Sequence, residues 1–183
     1  MQLGALLDQI ESKFRSTRPG ALVLMGIGGH GASGKTTLAR SIASSVPGTQ
    51  VVATDQFFNG TTFDLDRLRT EVIDVLLTGH EASYVEWDWA SGVEGTRCVV
   101  EPRGLVIVEG VCALHEMFRH DLALRVWVDT PADTRLARGV ARDGEASRER
   151  WVTVWMPNEL AYVERDRPIE CAHMILRGDQ PYE

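Results

Sequence analysis

Gly29-His30-Gly31-Ala32-Ser33-Gly34-Lys35-Thr36 follows directly on the apolar run Ala21-Leu22-Val23-Leu24-Met25-Gly26-Ile27 and fits G-x-x-x-x-G-K-[ST] at every fixed position. An apolar run, a glycine-rich turn and a helix-compatible stretch predict a strand-loop-helix unit whose backbone N–H groups surround phosphate oxygens. In that reading Gly29, His30, Gly31, Ala32, Ser33, Gly34, Lys35, Thr36 and Thr37 hold ATP or a similar triphosphate. Lys35 reaches the outer phosphates, Thr36 holds a magnesium ion, and His30 contributes its backbone. Of the 19 Lys and Arg residues only Lys13 and Lys35 are lysines, so a lysine at this loop position is not incidental.

The same stretch admits a second pattern. Gly26-Ile27-Gly28-Gly29-His30-Gly31 satisfies G-x-G-x-x-G, and Asp55 ends the next apolar segment, Gln50-Val51-Val52-Ala53-Thr54, where a ribose-binding acid of a dinucleotide fold belongs. An NAD-binding protein is therefore an alternative, although it has no use for Gly34-Lys35-Thr36.

The remaining composition narrows the partners. At 183 residues the chain fits one domain, 1–183, able to bury a core without disulfides. A net charge of −7 and a pI near 5.3 argue against nucleic-acid or anionic-membrane partners and for a small-molecule acceptor, with a homo-oligomer left open. Cys98, Cys112 and Cys171 are odd in number and form no C-x-x-C pair, which suggests reduced thiols and a cytoplasmic location. The N-terminal segment lacks a secretory pattern, and no apolar run approaches the ~18 residues of a membrane span.

Leu3, Leu6, Leu7, Ile10 and Phe14 predict a leading helix stopped by Arg18-Pro19-Gly20. Thr37 to Ser45 reads as the helix after the loop, and Gln50 to Thr54 as the second strand. Leu65, Leu68, Val72, Val75 and Leu76 form another helical face closed at Gly79. About residues 83–103 the pattern becomes a hairpin, with Tyr84–Trp87 and Cys98–Val100 as its strands. Buried-strand runs return at Gly104–Glu109 and Leu122–Asp129, followed by helices over Pro131–Arg142 and, across Pro157, Ser147–Arg165. Met174-Ile175-Leu176 closes the series as a short strand. The fold class is therefore α/β, a P-loop NTPase fold with a mostly parallel sheet, helices on both faces, a hairpin excursion and an Arg-rich lid at about 133–150.

Three acids end strands: Asp55, Glu109 and Asp129. Ligands of such sheets gather outside the carboxyl ends of strands. Glu109 suits magnesium, with a capping acid as the alternative. Asp55 suits a base that orients an attacking hydroxyl, with an ordinary helix cap as the alternative. Asp129 precedes Thr130-Pro131, where capping alone accounts for it. Arg135, Arg138 and Arg142 share one helical face, either as phosphate cations or as a solvated face paired with Asp133, Asp143 and Glu145.

These residues resemble the small-molecule kinases that include uridine kinase, with the related phosphoribulokinase and pantothenate kinase group. The likeness runs through Gly28 to Thr37 and Thr54-Asp55-Gln56-Phe57-Phe58, then Phe63-Asp64, Trp87-Asp88-Trp89, Val108-Glu109-Gly110-Val111 and the segment Asp129 to Arg138. The resemblance implies that Asp55 orients a 5′-hydroxyl, Asp64 grips sugar hydroxyls, Glu109 serves magnesium, and Arg135 with Arg138 closes over the phosphates. Trp87 would stack on a flat substrate or pack on the core. Two positions depart from uridine kinases: Phe58-Asn59 stands in place of Tyr-Arg, and Gly92 in place of a base-reading histidine. The chain also stops soon after Leu176, short of a helix that longer members add. The resulting expectation is an ATP-dependent kinase acting on a hydroxyl of a nucleoside or related small metabolite. The alternative is a nucleotide-binding or slow NTPase module with a degenerate acceptor site.

Overall fold

The apolar runs come together as one sheet in the computed structural model, which describes residues 2–182. Strands β1 (Leu22–Gly28), β2 (Gln50–Ala53), β5 (Gly104–Glu109), β6 (Leu124–Asp129) and β7 (Met174–Arg177) pair in the order β2-β5-β1-β6-β7, and every pairing is parallel. Strands β3 (Ala82–Asp88) and β4 (Val93–Val100) form a separate antiparallel hairpin.

Alternation along each central strand divides the core between the two faces of the sheet, because successive side chains point to opposite sides. Leu24, Val106, Val108 and Trp127 pack on one face with Leu68, Val72, Ile73 and Leu76. Val23, Met25, Ile27, Leu105, Ile107, Val126 and Val128 pack on the other with Leu38 and Ile42, and with Leu6 and Ile10 of the leading helix α1 (Gln2–Arg15). Both faces are covered, as continuous apolar strands require.

Gly26 and Gly28 lie inside β1, and a Cβ on either would come within 2.6 to 2.8 Å of Leu114. These first two glycines of the dinucleotide-like pattern are thus explained by close packing of residues 113–122 over β1. The phosphate-loop pattern accounts for the residues from Gly29 onward.

Helix α2 begins at Lys35, two residues earlier than the sequence predicts, because Gly34 turns the loop into the helix through a positive φ of 105°. Lys35, Thr36 and Thr37 therefore form its first turn, where backbone N–H groups have no helical acceptors. Helix α3 covers residues 65–77, with a π-helical stretch at Leu68–Ile73. Helix α4 (Ala132–Asp143) carries the arginines. Helix α5 covers residues 148–166 and is π-helical at Trp151–Trp155, ending two residues before Pro157. The wider turn is how α5 continues through a proline that cannot donate a helical hydrogen bond. The hairpin spans 82–100, with longer strands than the sequence suggests, because residues Val93–Arg97 are exposed and carry no apolar alternation.

Candidate active site

Strand register brings the chemistry to one place. Glu109 lies level with Ile27 of β1 and with Ala53 of β2, so the phosphate loop, Glu109 and the Asp55 segment leave the sheet side by side. The strand order reverses between β1 and β5, the position at which ligands enter sheets of this kind. A cleft of about 1580 Å³ opens there, larger than the 300–1,000 Å³ of typical single-ligand pockets, so it has room for two small ligands.

Around the phosphate-loop motif the cleft is lined by Gly31 to Thr37, Glu109, Arg138 and Arg142. Gly29 and His30 lie outside the lining; His30 is nearly buried, edge-on to Trp127 at 5.4 Å. Lys35 is buried, and its Nζ donates to the His30 carbonyl at 2.8 Å. Burial lowers the Lys35 pKa, while Glu109, Asp55 and Glu159 act in the opposite direction and favour its charged form. The Thr36 hydroxyl donates to Glu109 Oε1 at 2.9 Å. Burial raises the Glu109 pKa, opposed by Lys35 and by the Thr36 hydrogen bond.

A magnesium ion takes oxygen ligands and keeps several waters and phosphate oxygens, so one hydroxyl and one carboxylate this close suit it. Among the described residues no group of three or more His, Cys, Asp or Glu side chains is placed to hold a metal. An ion here would share its shell with nucleotide and water.

Asp55 stands in a 3-10 turn (Thr54–Phe57) and also lines the cleft. Gln56 fixes that turn: its carbonyl oxygen accepts from the Ala53 N–H and the Tyr84 hydroxyl, both at 2.9 Å, and its amide donates to Glu86 at 2.8 Å. The Trp89 indole N–H donates to the Asp55 carbonyl at 3.2 Å, and its ring stacks on Phe58 with centroids 4.7 Å apart. Phe58, Phe63 and Trp89 form an aromatic cluster in the lining, which also includes Val111, Cys112 and Tyr162. Burial pushes the Cys112 thiol up to about 12, so it presents a neutral surface.

Three sequence-predicted residues sit elsewhere. Trp87 packs edge-on against Phe58 from outside the lining, and Trp89, 58% exposed, is the tryptophan that faces the cleft. Asp64 caps α3, its Oδ1 accepting from the Arg67 N–H at 3.0 Å, and does not line the cleft. Arg135 is 5% exposed and committed to Glu159 at 3.2 Å and to the Thr130 carbonyl at 3.1 Å. The hairpin turn also consumes Asp88, which accepts from the Ala90 N–H and the Ser91 hydroxyl. Gly92 stands exposed at the tip. Arg138 remains in the lining, donating to the Gly178 carbonyl at 2.8 Å, and Arg142 joins it within charge range of Lys35 and Asp55.

Glu159 is the site residue that the sequence reading passed over. It is 8% exposed and accepts from the Gly31 N–H at 2.9 Å. Its signal was available: Trp151, Trp155, Glu159, Tyr162 and Asp166 share one helical face, which puts two acids inside an otherwise apolar stripe.

No protein-family model matches the chain. It is 31% identical over 139 residues to a uridine kinase of Halobacterium salinarum, a match covering 65% of this chain and 61% of that protein. It is 30% identical over 144 residues to a uridine kinase of Staphylococcus aureus strain JH9, covering 67% of this chain and 69% of that one. Among solved structures, a Silicibacter sp. TM1040 protein assigned as a fructose transport system kinase superposes with a TM-score of 0.73 at 21% identity, over 96% of this chain and 98% of its own. That last likeness is one of fold.

Proposed function

Since the chain belongs to the uridine kinase-like family of P-loop kinases, we propose that it transfers the γ-phosphoryl group of ATP to a hydroxyl of a nucleoside or related small metabolite. The observation that carries this is that Lys35, Thr36, Glu109 and Asp55 line one cleft with room for two substrates. The acceptor oxygen attacks the γ-phosphorus as the bond to the ADP oxygen breaks, and Asp55 takes the hydroxyl proton. Thr36 and Glu109 would hold magnesium, which when bound neutralises phosphate charge. Lys35, Arg138 and Arg142 supply the protein's own positive charge, and positioning supplies much of the rate.

The acceptor presents a flat or apolar part to Phe58, Phe63 and Trp89. Asp64 is engaged at its helix cap, so no grip on a sugar diol is assigned to it. Three free cysteines suit a reducing, cytoplasmic compartment.

The test is ADP release from Mg·ATP across a panel of nucleosides, sugars and small alcohols. An acceptor that raises release well above the acceptor-free rate supports the reading. Release indifferent to every acceptor would support a slow NTPase instead.

A further inference from the structure

Lys35 and Glu159 are joined through one peptide unit. The His30–Gly31 peptide offers its carbonyl to Lys35 Nζ at 2.8 Å and its N–H to Glu159 Oε1 at 2.9 Å. A trans peptide is planar, so whatever fixes its N–H also fixes the direction of its carbonyl. Glu159 is itself held: Oε2 accepts from Arg135 at 3.2 Å and lies 3.5 Å from His30 Nδ1. Arg135 in turn donates to the Thr130 carbonyl, and the Thr130 hydroxyl donates to the Ser33 carbonyl at 2.8 Å. The loop is thus tied at Gly31 and at Ser33 to the arginine helix, through side chains that are all nearly buried.

We propose that Glu159 is a positioning residue for the phosphate loop, setting the His30–Gly31 peptide and through it the resting place of the Lys35 ammonium before nucleotide arrives. The competing idea is that this carboxylate mimics a phosphate and must leave when ATP binds. Energetics decides against it. Leaving would strand Arg135 in a buried site, and an uncompensated buried charge costs more than one loop hydrogen bond returns. Space argues the same way: a Cβ on Gly31 would sit 2.4 Å from Glu159 Oε1 and 2.9 Å from Trp151, so the loop is shaped around the tie. One consequence is that the Arg135–Glu159 pair is electrically neutral, which leaves Arg138 and Arg142 to supply guanidinium charge beside the phosphates.

This inference rests on the reading that the loop binds ATP. The test compares the unaltered chain with E159D and E159Q by calorimetric titration with magnesium and the β,γ-imido analogue of ATP, alongside thermal unfolding of each. E159D keeps the charge but shortens the reach to Gly31; E159Q keeps the reach and an acceptor oxygen but loses the charge. Positioning predicts that both variants weaken nucleotide binding, E159D about tenfold or more through its shorter reach and E159Q because its single acceptor oxygen cannot serve both Gly31 and Arg135, beyond what any fall in melting temperature explains. An E159D or an E159Q that melts lower yet binds the analogue like the unaltered chain, or a variant that binds more tightly, would overturn the proposal. Failure of the unaltered chain to bind the analogue would overturn the kinase reading, and this proposal with it.

Discussion

Replacing Arg135 by methionine separates a structural arginine from a catalytic one. The guanidinium is 5% exposed and satisfies Glu159 and the Thr130 carbonyl. Methionine fills much of the volume but leaves the Glu159 carboxylate buried and without its cation. Breaking a buried pair from one side costs about 3–5 kcal/mol. Glu159 keeps the Gly31 N–H, so the lower end, about 3 kcal/mol, is the better figure. For a chain of this size each kcal/mol moves the melting temperature by about 2–4 °C, giving an expected fall of about 6–12 °C. The double variant R135M/E159L removes both charges and should recover most of that loss, since apolar replacements of a buried pair are often neutral. The assay is thermal unfolding by circular dichroism, with ADP release measured below the transition. If R135M melts within about 2 °C of the unaltered chain yet loses phosphoryl transfer, Arg135 serves the phosphates and the structural argument is wrong.

Three other outcomes are expected. Asp55→Asn lowers transfer by at least about a hundredfold while leaving the Kd for the ATP analogue nearly unchanged; an equal loss of nucleotide binding refutes the base assignment. Trp89→Ala raises the acceptor KM about three- to tenfold without altering the nucleotide Kd, because in the proposed reading the ring contacts the acceptor, while in the structure it stacks on Phe58 and its N–H donates to the Asp55 carbonyl. Gly26→Ala brings a methyl group to 2.6 Å from Leu114 and Leu122, which costs about 1–3 kcal/mol in chemical unfolding; wild-type stability would mean that these side chains move aside freely.

The central sheet was legible because its inner strands β1, β5 and β6 are largely apolar runs, two of which end in acids, Glu109 and Asp129. The loop was legible because its chemistry demands fixed glycines and one lysine. Other features depend on contacts between distant parts of the chain. Trp87 and Trp89 are indistinguishable as residues of an aromatic-Asp-aromatic triplet, and only the fold shows which of them reaches the cleft. Asp64 and Arg135 carry the right charge at the right spacing, but a helix cap and a partner from α5 claim them first. Glu159 lies 128 residues from Gly31, so no local pattern links the two. The helix α5 was expected across Pro157, yet its π turn was not, because hydrogen-bond spacing leaves no mark on apolar periodicity.

The hairpin that supplies Trp89 shares no strand with the central sheet, and Gln56 with its partners Tyr84 and Glu86 joins it to the Asp55 segment. On the proposed function, part of the acceptor contact and the phosphate contacts are carried by separately anchored parts. Residues 87–95 could be exchanged between related chains, or varied in a library, to retune which alcohol is phosphorylated while the donor machinery is inherited intact.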